Sequence, residues 1–176
     1  MVKIWSVVTV LAASALLAGC GGGGSASTEA PAAPRAAPEL TKPCTLLSND
    51  TVSKVFSIKK IASAEKPPVN TPNGRANYVC EYRAQNGPLG TLLVTVTDST
   101  VSPAQVAKAW QKLPAAQPVP GVGDAAIYSV DQAKRVAMLA AAKPAQGKTV
   151  AMIFTGSPKI TQEMLSTLVK EAIGSV

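Results

Sequence analysis

The chain of 176 residues contains no histidine. That absence removes Ser-His-Asp and Cys-His catalysis and histidine-ligated zinc together, because each depends on an imidazole. Ser-Lys catalysis survives it, but Ser53-Lys54 are adjacent in sequence, which does not provide the spacing that chemistry uses. Aromatic residues make up only 4% of the chain, and beyond residue 42 those with a polar handle are Tyr78, Tyr82, Tyr128 and Trp110. Cysteine is scarce, at three residues. A long apolar run is missing too: Ile4 to Leu17 is interrupted by Ser6, Thr9 and Ser14 and falls short of the ~20 residues a spanning helix needs.

What is present at the N-terminus is a short basic start, Met1-Val2-Lys3, the apolar segment, and Leu17-Ala18-Gly19-Cys20 opening into Gly21-Gly22-Gly23-Gly24. Basic flank, apolar middle and small residues at a cut are the signature of a secretory signal. The cysteine directly after the small residues resembles the cleavage and acylation site of bacterial lipoproteins. That resemblance implies removal of residues 1–19 and a diacylglycerol thioether on Cys20, with an amide-linked acyl chain on its new N-terminus. Two or more acyl chains anchor a protein stably where one does so only marginally. The expected partner is therefore a membrane, reached through lipid. Residue 21 is Gly and not Asp, which by the same resemblance points to the outer membrane in a Gram-negative host.

Removing residues 1–19 takes away only Lys3 among the charged side chains, leaving a formal +6 against +7 for the whole chain. A basic balance can signal nucleic acid, but an exported protein meets little of it. The cations are also dispersed, with Lys59-Lys60 and Lys134-Arg135 as pairs and not runs. Solvated faces are the expectation, and an envelope protein, glycan or anionic lipid is the alternative partner. Residues 20–42 combine the lipidated terminus with a Gly/Ala/Pro-rich tether that lacks the apolar groups to fold. A flexible coil of that length spans roughly 25 Å. Residues 43–176 remain, the size of a single domain.

With Cys20 assigned to lipid, Cys44 and Cys80 form an even pair in an oxidising compartment, and a structural disulfide is expected. A metal site would need about four ligands, and a redox pair would favour C-x-x-C spacing.

The pattern predicts a helix over 45–57 with Ser48 as N-cap, a short strand over 58–64, and a turn through Lys66-Pro67-Pro68 to Asn73-Gly74. Asn77 to Arg83 alternates, with Tyr78, Cys80 and Tyr82 on one face and Val79, Glu81 and Arg83 on the other. A turn at Asn86-Gly87 leads to a β-branched strand over 91–97. Ser102-Pro103-Ala104-Gln105 is a capping-box start for a helix running to Leu113. Three further strands are expected over 125–130, 135–141 and 149–155. Thr161 then caps a last helix carrying Met164, Leu165, Leu168, Val169, Ala172 and Ile173 as an apolar stripe. The order α-βββ-α-βββ-α describes an α+β domain: an antiparallel sheet of five or six strands with helices on one face. The two βββ-α stretches look alike, as an internal duplication would.

The carboxylates of the domain sit at turns, caps and helix surfaces, and no spacing selects a catalytic pair. Gly121-Val122-Gly123-Asp124 follows a helix and enters a strand, the reverse of a phosphate loop, and reads as a turn. Asn49-Asp50-Thr51 fits a glycosylation sequon and, beside a helix start, reads as capping. Core or sheet packing is the first expectation for Tyr78, Tyr82, Tyr128 and Trp110, and a cluster of Tyr78 and Tyr82 beside Arg83 is the candidate ligand surface.

Pro43-Cys44-Thr45-Leu46-Leu47-Ser48, Cys80-Glu81-Tyr82 and Gly121-Val122-Gly123-Asp124-Ala125-Ala126, in this order behind the lipid site and tether, resemble a family of uncharacterised bacterial envelope lipoproteins. Its pattern is P-C-x-L-L-[ST], C-x-[WY] and G-x-G-[DE]-x-A, here covering residues 43–176. Tyr82 stands where such proteins often carry Trp. The resemblance implies a disulfide and an α+β domain, with no cofactor, metal or catalytic residue assigned. The expectation is a non-enzymatic binding or scaffold module. The alternatives are a carrier of a small molecule or lipid in a pocket between sheet and helices, and a periplasmic enzyme of unrecognised type.

Overall fold

In the computed structural model, which describes residues 39–71, 75–98 and 100–176, a 3-10 turn at Pro43–Thr45 leads into α1 (Asn49–Phe56). The Ser48 Oγ accepts the Thr51 amide at 3.1 Å and so caps this helix as expected. Three strands follow, β1 (Ala62–Asn70), β2 (Ala76–Ala84) and β3 (Gly87–Asp98), then α2 (Pro103–Trp110). After it come β4 (Gln117–Pro118), β5 (Ala125–Asp131), β6 (Val136–Ala145), β7 (Lys148–Gly156) and α3 (Gln162–Gly174). All of these elements fall within one unit, Ala36–Val176. No helix among the described residues is long and apolar enough to cross a membrane. Cys20, residues 1–38 as a whole and the Asn73-Gly74 end of the expected turn lie outside the described residues.

The strands form one antiparallel sheet in the order β1-β2-β3-β7-β6-β5-β4. The class is α+β, and the described residues form seven strands where five or six were expected. The additional strand is β4, a two-residue pairing of Gln117 with Tyr128 and Pro118 with Ile127. Pro118, with Pro114 and Pro120 flanking the strand, conceals it, because Pro reads as loop in sequence yet is tolerated on an edge strand. The same reasoning corrects β1, which runs on through Lys66-Pro67-Pro68. It occupies the other edge, and its register shifts between Lys66 and Val69.

The register defines two faces. On one, Cys80, Leu92, Phe154 and Leu139 follow one another across β2, β3, β7 and β6. With Tyr82, Val94, Met152 and Ala141 they make the core beneath α1 and α3, whose Leu165, Leu168, Val169 and Ala172 are buried against them. Gly90 and Gly156 pair across β3 and β7 on this face. A Cβ on Gly90 would collide with the Phe154 ring, so the absent side chain is what lets that ring lie across the strand. On the second face, Val79, Leu93, Ile153, Ala140, Ile127 and Pro118 form a row across six strands.

Helix α2 packs on the second face, over β5, β6 and β7, so helices cover both faces and not one. Ala140, Ala142 and Ala151 explain this: their small side chains let a helix approach closely, and all are buried under it although none belongs to the core of the first face. Hydrogen bonds tie both ends of the α2 segment down, Thr149 Oγ1 donating to the Val101 carbonyl and Ser129 Oγ to that of Pro114 at 2.6 Å. Because α2 and α3 leave β3 and β7 for opposite faces, the two βββ-α halves are not copies related by a rotation about the sheet centre.

Candidate functional site

Cys44 and Cys80 are joined by a disulfide with Cα atoms 5.1 Å apart, pinning the 3-10 turn to the middle of β2. Tyr82, one pleat along, is wholly buried. Its hydroxyl donates to the Leu47 carbonyl at 2.8 Å, and its ring lies 6.0 Å from that of Phe154. Burial raises the phenol above its ordinary range, with the nearby carboxylates of Glu171 and Glu65 adding to the shift. Tyr78 is half-buried against the same core. Arg83 points from the opposite face, bonded to Glu81 at 2.9 Å. Strand alternation therefore keeps Arg83 apart from both tyrosines, and the structure does not assemble these three residues into one surface. They serve as core, as core and as a surface ion pair.

Two Ser-x-x-Lys spacings, Ser57 to Lys60 and Ser63 to Lys66, fall outside helices. Ser57 is the left-handed residue ending α1. Ser63 and Lys66 occupy opposite faces of β1, and Lys66 is paired with Glu81. Neither spacing brings its hydroxyl and amine together on one face as a helix would. Among the described residues, no three of Cys, Asp and Glu gather as metal ligands.

A groove of about 560 Å³ lies between α2 and β4–β5. Ala104, Ala107, Lys108 and Gln111 face it from the helix, at the spacing of one helical stripe. Pro118, Val119 and Pro120 form the opposite wall, and Ala125 to Ile127 the floor. Asp124 stands at its end, at the close of the Gly121–Asp124 turn. Gly121 (φ 74°) and Gly123 (φ 59°) adopt the left-handed backbone expected of that turn, and the Asp124 amide bonds to the Ala142 carbonyl at 2.9 Å. The groove is aliphatic, with one cation and one carboxylate among its lining residues. Its helix stripe was present in the sequence, but only the second-face packing of α2 gives that stripe a wall to face.

A second feature gathers at the end of the sheet where β2, β5 and β7 finish and β3 and β6 begin. There the loop before β1, the end of β2, the β5–β6 turn and the β7–α3 loop bring Lys59, Lys60, Arg83, Lys134, Arg135 and Lys159 to the surface, all exposed. Comparison with protein-family models, curated proteins and solved structures finds no match to this chain.

Proposed function

We propose that this chain is a lipid-anchored lipoprotein of the cell envelope, held at the outer membrane through Cys20. On this reading its domain is a non-enzymatic module that binds an envelope protein by receiving an apolar segment in the groove between α2 and β4–β5. The observation that carries the binding site is the lining of that groove. It is open along its length and aliphatic, and contains no aromatic ring, which suits an apolar peptide segment better than a glycan, whose sugar faces stack on rings. Lys108 and Asp124 offer one charge of each sign to orient the bound segment. The lack of histidine and the use of two cysteines in the disulfide support the non-enzymatic reading.

Ala104→Trp tests the site, because the residue is exposed on the helix and a ring there would fill the groove without entering the core. Crosslinking in the native envelope should yield a reproducible protein partner, lost in Ala104→Trp with thermal stability unchanged. A partner retained by the variant would remove the groove from the reading. The carrier reading uses the same groove, and a lipid that stays with the purified protein and leaves in Ala104→Trp would replace the first reading with it.

A further inference from the structure

The basic end of the sheet has a geometry that a merely solvated face does not need. Its cations come from four separate segments, and β2 to β5 lie four strand spacings apart in the sheet order, so they are spread over about 19 Å. The carboxylates nearby are Glu81, Asp131 and Glu163, the first two already paired, with Lys66 and Arg83 and with Lys134. Helix α3 begins at this end and adds the partial positive charge of its N-terminus.

Two hollows, of about 200 and 240 Å³, open on either side of Pro88 and Leu89, which line both. Lys59 borders one beside Gln85 and Asn86, and Arg135 borders the other beside Thr155 and Ser157. Each hollow thus combines a cation with neutral polar groups, and the exposed Pro88 stands between them as an apolar tip. The backbone is unusual here as well. Ser57, Lys60 and Arg135 adopt positive φ of 54°, 61° and 55°, conformations that glycine or asparagine would take at less cost. Such residues concentrate at functional sites.

We propose that this end of the domain docks on the phosphate groups of an anionic lipid bilayer, one headgroup in each hollow and Pro88 set between them. A row of cations spread along the sheet end and flanking an apolar tip matches an array of phosphates with acyl chains behind it, whereas a single soluble anion would call for convergent donors. The proposal rests on the reading above only in placing the domain beside a bilayer; the docking itself does not require the acyl anchor.

The test uses the whole chain, with Cys20 and as Cys20→Ala, and vesicles of phosphatidylcholine with and without phosphatidylglycerol. Amides of residues 57–60 and 132–135 should exchange more slowly on the anionic vesicles alone, in both backgrounds, and high salt should reverse this. Lys59→Gln with Arg135→Gln should lower the salt-sensitive partitioning of the Cys20→Ala chain about 25-fold, at roughly fivefold per cation, with its melting temperature kept. Equal protection on neutral vesicles, or none on either kind, overturns the proposal. So does the same protection by inorganic phosphate, or by polyglutamate in place of anionic vesicles, which would assign the surface to a soluble anion or to an acidic protein. Loss of stable anchoring in Cys20→Ala on neutral vesicles reads the anchor alone, so the two ideas fail separately.

Discussion

At Tyr82 a single side chain links the disulfide layer to the core. The ring fills space against Phe154, and the hydroxyl satisfies the Leu47 carbonyl just before α1. Tyr82→Phe keeps the ring and leaves that carbonyl without its partner, so urea unfolding should register a loss of about 1–3 kcal/mol. The phenol also carries a pH dependence. Its folded pKa is raised above the ordinary value of 10.0 by burial, so the unfolded chain ionises first. The Tyr82 contribution is therefore full below about pH 10 and drains away as the pH climbs above that. Tyr82→Phe should flatten the alkaline fall in melting temperature; an identical fall in both proteins would place its origin elsewhere. The alternation of residues 77–83 already put Tyr82 with Cys80 and opposite Arg83 in the sequence. The hydrogen bond was not legible there, because its acceptor lies 35 residues away.

Among the elements, the starts of helices were legible and several of the ends were not. Ser48, Ser102 and Thr161 each accept an amide hydrogen bond from the third residue of the helix that follows. The Ser102 motif is a complete capping box, with the Gln105 side chain returning to the Ser102 amide at 2.8 Å. Caps are local chemistry and can be read directly from spacing. The reach of α2 to Leu113 was an overestimate, since the helix stops at Trp110 and the chain turns so that Pro114 can receive Ser129. Ser102→Ala removes one half of the box and should lower stability by about 1 kcal/mol in thermal denaturation. Because α2 forms one wall of the groove, the same variant should raise amide exchange along Ala104 to Ala107 more than along α3.

For the whole molecule, the anchor is the property most directly open to test. Growth with a fatty-acid analogue should label the wild-type chain and leave Cys20→Ala unlabelled; persistent labelling of the variant would overturn the lipoprotein reading and the address that goes with it. The α+β class, the three caps, the alternation that separates Tyr82 from Arg83, and the pairing partners Cys44 and Cys80 are all readable along the chain. These follow from short-range periodicity, capping chemistry and counting. That β1 and β4 run through prolines at the two edges is a property of the assembled sheet. Tertiary packing alone set α2 on the face opposite α3, opened the groove beside it, and gathered cations from four distant segments at one end. Those outcomes depend on strand register and on the close approach that Ala140, Ala142 and Ala151 permit, relations between residues far apart in the chain that no local window contains.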